Sequence, residues 1–546
     1  MADNAQFDYV VIGSGSAGSV ITHRLIESGE PSVCVLEAGG KDWNPFIHIP
    51  AGFIKTIVDP SVNWLYETEP SEGTAGRRIQ QPRGKTLGGS SSINGHIYNR
   101  GQRMDFDVWA QMGNRGWSYA EVLPYFKRNE RRIGDGDERF RGREGRYAIG
   151  DLAWDHPLCD AFMEGAETLG IPRNPDYNGA RQEGVGFFQR SIHQGKRVSS
   201  ARAYLHPVMG RSNLDVRTKA HAVSLLFGGK RVVGVRYHQG GEFKEVYARR
   251  EVILSGGTFN SPQLLQLSGI GDPEFLQTIG VDVVHALPGV GENLRDHYPI
   301  RMTARVEGIK TINERSRGLP LAWEIAKYFT TGKGILTLQP TLVACFWKSD
   351  ESLEYGDLQI TFTPASYAEG VQSQLDVEPG MTIAVWQQRP ESRGYVRARS
   401  KDPFEKPAIQ PNYLADEMDQ RVILGGIKLS RRLFRTDPLA PYFAGELSPG
   451  DDVQTDDEIL NYARGRGTTA FHPMGTCRMG PASDPGAVVD PELRVHGLEG
   501  LRIADASIMP TMPSANTNAS SLMIGEKAAD MILGKAPLEA VDLTGT

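Results

Sequence analysis

The sequence predicts an α/β fold, α+β over the chain as a whole, and three observations carry that prediction. "FDYVVIGSGSAGSVITHRLIESGEPSVCVLEAGG" (7–40) reads as strand, tight turn, helix and second strand. The apolar runs "REVILSGG" (250–257) and "LRIADAS" (501–507) have the character of further buried parallel strands, far apart in the chain. Between them, "DLQITFTPAS" (357–366) and "MTIAVWQQRP" (381–390) alternate in polarity, as strands of a sheet with one open face do.

Residues 9–12 are the short apolar run of the first strand. Gly13, Gly15 and Gly18 follow as GxGxxG. The first permits the tight turn, the second lets backbone approach a pyrophosphate, and the third lets the helix pack close to the strand. Ala17, Val20, Ile21 and Leu25 give that helix one apolar face, and its N-terminus offers free N–H groups to phosphates. The second strand, 33–36, ends in Glu37, where an acid accepts hydrogen bonds from ribose hydroxyls and repels a 2′-phosphate. The unit reads as a dinucleotide site, and by itself it does not separate FAD from NAD.

"GKTLGGSSSINGHIYNRGQRMDFDVW" (84–109) reads as a loop around Gly88 and Gly89 feeding a helix through Ser90, Ser91 and Ser92. Adjacent glycines and hydroxyls present N–H groups to a polyanion or a planar ring, or they simply cap the helix. "FKRNERRIGDGDERFRGREGRY" (126–147) mixes both signs of charge and reads as a solvated connection. In "FHPMGTCRM" (471–479), His472 and Cys477 sit among Pro and Gly. That stretch alone fits a metal pair, a thiol site, a structural turn or half of an active site.

Composition sets outer limits. A chain of 546 residues has room for two or three domains. A net charge of −6 leaves no field favouring nucleic acid or an anionic membrane. Cys34, Cys159, Cys345 and Cys477 have no paired spacing, so neither a disulfide framework nor a metal site is expected. Without an apolar signal segment or a run of 18 apolar residues, no transmembrane helix is expected, and the expected location is the cytoplasm, free or peripheral to the membrane.

Gly84, Lys85, Leu87, Gly88, Gly89, Ser90, Ser91, Ile93 and Asn94, continued by Tyr98, Gly101 and Asp107, resemble the first signature of the glucose–methanol–choline (GMC) oxidoreductase family. "GTFNSPQLLQLSGIG" (257–271) is similar to the second signature over its whole length. "LPGVGENLRDH" (287–297), "SRGYVRARSKDP" (392–403) and "GLRIADASIMPTMPSANTNASSLMIGEKAADMI" (500–532) resemble further family segments, in family order. The resemblance therefore covers residues 7 to about 535.

It implies a Rossmann-like FAD-binding domain assembled from residues 1–155, 196–300 and 462–546. A substrate-binding domain, 156–195 and 301–461, would carry a mostly antiparallel sheet flanked by helices. FAD rather than NAD is implied, with Gly13, Gly15, Gly18, Glu37 and Ala38 at its ADP half. Gly88, Ser91, Asn94 and Gly95 would line the pyrophosphate and flavin, Ala222 would lie near adenine, and Asp505, Ala506 and Asn518 would close over the cofactor. Some relatives bond the flavin to a histidine at the position of Ile93, so isoleucine there implies non-covalent FAD. His96 stands where many relatives carry an apolar residue, either packed or touching flavin or substrate.

His472 opens an HPxGTxxM pattern similar to the family's catalytic-histidine segment, and Asn516 matches its second active-site position. The implied reaction is oxidation of a primary alcohol to an aldehyde, with onward oxidation to the acid left open. Hydride passes to flavin N5, His472 acts as acid/base and Asn516 orients the alcohol oxygen. Cys477 is then a structural thiol. The motif wording most resembles the bacterial choline-dehydrogenase-like branch, which does not name the alcohol. An ammonium would need a carboxylate or an aromatic cage, and the sequence does not bring Trp347, Tyr367 and Trp386 together. Oxygen or a quinone- or dye-like acceptor, and the oligomeric state, stay open. The rival readings are a non-redox FAD lyase or decarboxylase of the same fold, and a non-catalytic flavin-binding protein.

Overall fold

Two sheets, each with its own apolar core, face one another across a cavity in the computed structural model, which describes residues 5–368 and 374–544. In the first, β1 (Gln6–Ile12), α1 (Ser16–Glu27) and β2 (Val33–Glu37) form in the expected order, with Ala17, Val20, Ile21 and Leu25 all buried. β1 and β2 pair in parallel, and Leu214–Thr218 extends the sheet beyond β2. On the other side of β1 lies the long strand Glu242–Leu254. Its first half pairs antiparallel with Arg231–Gln239, and its last three residues pair in parallel with Leu501–Ile503. The two apolar runs that are remote in sequence are thus neighbours, Val252 opposite Leu501 and Leu254 opposite Ile503.

The parallel strands end level. Ile12 stands opposite both Leu36 and Leu254, and Thr218 stands opposite Glu37. Their following loops therefore open into one crevice at the carboxyl ends, where open parallel sheets bind ligands.

The helix expected through Ser90, Ser91 and Ser92 does not form; Gly89–Ser92 is a single 3-10 turn. Gly88 and Gly89 enter it with φ of 85° and 51°. The Ser91 and Ser92 hydroxyls then donate back to the carbonyls of Gly88 and Leu87, at 2.6 and 2.7 Å. Such local side-chain bonds compete with helix propagation.

The second sheet is antiparallel, in the order Phe443–Ser448, Ile300–Val306, Gly380–Gln387, Leu358–Thr363, Val343–Trp347, Gly184–Phe187. Its faces alternate as the sequence pattern requires. Ile300, Met302, Ile360, Phe362, Ile383 and Val385 pack with Val422, Ile423 and Ile427 of the helix Glu417–Phe434. Each large side chain so buried contributes about 1.5–3 kcal/mol. The opposite face presents Arg301, Thr361, Thr363, Thr382, Ala384 and Trp386 to the cavity.

One expectation is corrected. Residues 126–147 are a solvated connection only in part: Arg131, Asp135, Asp137, Glu138 and Arg139 are exposed, but Glu130 and Arg141 are 0% and 1% exposed. The Glu130 carboxylate is held between Arg100 and Arg141, and Arg141 also pairs with Asp176. Two guanidinium groups offset the desolvation of one buried carboxylate, so a run of mixed charge serves here in part as interior. Among the described residues no helix is long and apolar enough to cross a membrane.

Candidate active site

The crevice of the first sheet and the open face of the second enclose a cavity of about 370 Å³. At the end nearest β1, α1 begins after Gly15 with no side chain capping its N–H groups. A Cβ on Gly15 would meet nothing within 4 Å, whereas one on Gly18 would lie 2.0 Å from the Gly13 carbonyl oxygen. One on Gly13 would lie 2.4 Å from the Ser255 carbonyl oxygen. Gly13 and Gly18 thus serve close packing, while Gly15 leaves open space at an uncapped helix start, the setting a phosphate group needs. Gly89 closes over it, since its own Cβ would fall 2.8 Å from Gly15 Cα.

Glu37 and Ala38 line the same end. Glu37 accepts from Ser14 N–H (3.1 Å), Ser14 O–H (2.6 Å) and Gly39 N–H (2.8 Å), and burial raises its pKa. Ala222 also faces the cavity, after the Leu214–Thr218 strand. Asp505 and Ala506 follow Leu501–Ile503, and the Asp505 carboxylate accepts from Gly257 N–H (2.8 Å) and Ser261 O–H (2.7 Å) in the second signature segment. Asn518 accepts from the Ser16 hydroxyl (2.6 Å), tying the helix Thr517–Ile532 to α1. These groups suit the adenosine diphosphate half of FAD.

Further along, Ile93, Asn94 and Gly95 line the cavity. Arg197 fixes Asn94 by donating to its side-chain oxygen at 2.8 Å. Gly88 and Ser91 stand behind the cavity wall, where Ser91 pairs with Ser200 (2.8 Å); Gly89 and Ser90 present themselves instead. His96 is buried on the wall with φ of 66°. Its Nε2–H donates to the Pro50 carbonyl (2.9 Å), leaving Nδ1 as an acceptor without a partner.

At the far end His472 and Asn516 come together, and a hydrogen-bond chain fixes their chemistry. The Gln388 carbonyl can only accept, so Nε2 of His297, 2.7 Å away, carries a proton. His297 Nδ1 is then a lone pair, and His472 Nδ1–H donates to it at 3.0 Å. His472 Nε2 is consequently unprotonated and accepts from the Asn516 amide at 2.9 Å, which also fixes which way that amide faces. The Asn516 side-chain oxygen has no partner. Burial, then the neighbouring His297 and Arg83, hold the His472 pKa well below the usual histidine value, so the imidazole is neutral.

The backbone that carries His472 is strained. Phe471 has φ of 66°, a left-handed conformation costly for a bulky residue. Three bonds hold it: Phe471 N–H to Thr469 Oγ1 (2.7 Å), Arg83 to the Phe471 carbonyl (2.7 Å), and His472 N–H to the Asp296 carboxylate (2.8 Å). Beyond it, Cys477 N–H donates to the Ser507 carbonyl (2.8 Å), and the buried Cys477 thiol has its pKa pushed well up. A thiol so placed is structural. His297, Asp296 and Arg83 were not singled out from sequence. The first two lie in the "LPGVGENLRDH" segment, which offers no sign of which residues they will meet.

Two models, both described as GMC oxidoreductase, match residues 7–299 and 390–525. The chain is 43% identical over 539 residues to an oxygen-dependent choline dehydrogenase of Staphylococcus saprophyticus, covering 98% of this chain and 96% of that protein. Among solved structures it is similar to pyridoxine 4-oxidase from Mesorbium loti, with a TM-score of 0.88 and 30% identity over 97% of this chain and 99% of that one. It is also similar to a formate oxidase, with a TM-score of 0.90 and 26% identity over 98% and 99% of the two chains.

Proposed function

The chain belongs to the GMC oxidoreductase family and is an FAD-dependent alcohol oxidoreductase, and on that premise we propose that His472 is its base and Asn516 the group that orients the alcohol. The observation that carries this reading is the bonded series from the Gln388 carbonyl through His297, which leaves His472 Nε2 unprotonated beside the Asn516 amide. A primary alcohol inserts between the two, replacing their direct bond: its O–H donates to Nε2 while its oxygen accepts from the amide. As the carbon loses hydride, the proton moves to Nε2 and the amide holds the oxygen as its charge develops. His297 keeps accepting from Nδ1, so the imidazolium formed is still bonded on its buried side. FAD, when bound, supplies the acceptor for that hydride.

We place FAD without a covalent bond to the chain, because Ile93 offers none, along Gly13, Gly15, Glu37, Ala38, Asn94, Gly95, Ala222, Asp505, Ala506 and Asn518. Gly18, Gly88 and Ser91 then shape that site from behind the wall. We assign the FAD-binding unit to residues 1–155, 196–300 and 462–546, and the substrate unit to 156–195 and 301–461. The separation of the two apolar cores supports the division, although Ile79, Tyr298, Ile300 and Ala463 pack with the second core. Oxygen is the proposed acceptor, a reading supported by the oxygen-dependent Staphylococcus relative. Non-redox and non-catalytic readings are not favoured by these relatives.

The test is His472→Ala. Bound FAD and its colour stay, while flavin reduction by alcohol without oxygen slows by ~10²–10⁴-fold. A variant that keeps a near-normal reduction rate removes His472 from the mechanism. Peroxide formation compared with dye reduction reads out the acceptor.

A further inference from the structure

The cavity wall also holds an arginine whose guanidinium has no acceptor among the described residues. Arg301 lies on the strand Ile300–Val306, in register with Ala384, and so on the cavity face of the antiparallel sheet. Its guanidinium stacks over the Tyr367 ring at 4.8 Å, and the Tyr367 hydroxyl is anchored on the Pro340 carbonyl at 2.8 Å. Among the described residues no carboxylate or carbonyl accepts from the guanidinium. Other interior arginines are all engaged: Arg100 and Arg141 by Glu130, Arg128 by Glu526, Arg431 by Glu446, Arg197 by backbone carbonyls. Nor, among the described residues, does an acid face it across the cavity. The carboxylates on the cavity wall are Glu37 and Asp505, both at the cofactor end and both accepting from backbone and hydroxyl donors already.

A half-buried guanidinium without a counter-charge is costly to hold. A planar, always-charged fork on an aromatic platform suits a bidentate oxyanion. We propose that the alcohol oxidised here carries an anionic group, a carboxylate or a phosphate ester, remote from the reacting hydroxyl, and that Arg301 selects it. The inference rests on the alcohol-oxidising reading of the same site. It also parts this chain from the choline of its Staphylococcus relative: among the described residues a quaternary ammonium would meet a fixed positive charge and, away from the cofactor end, no carboxylate.

The experiment uses the FAD-loaded enzyme and ω-hydroxy acids of increasing chain length. 2-Hydroxyethyl phosphate forms the phosphate arm, with the matching neutral diols and choline beside them. Flavin reduction without oxygen should favour one anionic arm by about 10- to 100-fold in kcat/KM, the worth of a charge-assisted hydrogen bond. Arg301→Gln should remove that preference mainly through KM, and Arg301→Lys should restore part of it. A second readout needs no turnover. Short carboxylates without a hydroxyl, and inorganic phosphate, are titrated into the holoenzyme while the flavin spectrum and melting temperature are followed; saturable binding is expected in wild type and not in Arg301→Gln. If no alcohol reduces the flavin but the anions bind at Arg301, the alcohol reading fails and the anion site stands. Preference for choline or neutral alcohols, or an anion preference unchanged in Arg301→Gln, overturns the proposal. So does a variant whose flavin potential shifts while anion binding stays the same.

Discussion

In the proposed reaction His472 acts as a neutral base: burial keeps its imidazole uncharged, and its Nε2 lies beside the Asn516 amide. Which nitrogen is free is decided two hydrogen bonds away, by a carbonyl that cannot donate. The residue that relays this, His297, meets His472 across 175 positions of sequence. His472 and Asn516 were legible because each sits in a recognisable local pattern. His297, Asp296 and Arg301 were not, because their roles exist only once distant loops and strands are brought together. His297→Ala should slow flavin reduction by ~10²-fold at unchanged FAD content. His297→Gln should recover most of it, since an amide accepts from His472 Nδ1–H and donates to the Gln388 carbonyl at once. Equal losses in both variants, measured by anaerobic stopped-flow, would sink the tautomer role.

Among the elements, the turn between β1 and α1 divides its three glycines into two kinds. The spacing of GxGxxG was legible, and so was the succession of strand, helix and strand around it. What spacing does not reveal is that Gly18 is pressed against Gly13 while Gly15 faces open space. Gly15→Ala should therefore weaken FAD binding, seen as lost yellow colour on dilution, while leaving the apoprotein's denaturant midpoint unchanged. Gly18→Ala should lower that midpoint as well, through about 1–3 kcal/mol of stability lost to overpacking. A Gly15→Ala apoprotein as destabilised as Gly18→Ala would contradict the division. The serine-rich segment misled for a related reason: its hydroxyls look like helix caps, and they act instead as ties to the carbonyls of Gly88 and Leu87.

Across the whole molecule, charge is placed where sequence periodicity gives no warning. The Arg100, Glu130, Arg141 and Asp176 cluster lies inside, although the run that supplies half of it reads as surface. Histidines are buried too. Burial lowers the pKa of His96, His297 and His472, and takes His221 down to about 4. The unfolded chain protonates these side chains near pH 6.5 and the folded one does not, so their stabilisation is complete above about 6.5 and is lost as pH falls toward the lowered values. Glu37, Asp105 and Asp419, raised by burial, act in the opposite sense and soften the slope. The melting temperature should be flat from pH 8 to 7 and decline below about 6.5; a flat profile down to pH 5 would count against neutral buried histidines.

The pairing of Leu501–Ile503 with the sheet begun at Gln6 has a consequence in time. A ribosome releases β1, α1 and β2 within the first forty residues, but the strand that completes their sheet, and Asp505 and Asn518 after it, emerge roughly 25–100 s later at ordinary elongation rates. Until then the nucleotide turn exists without its closing wall. With FAD placed as proposed, its capture is an event that waits for residues 501–518, and a nascent chain carries the GxGxxG turn without its closing wall.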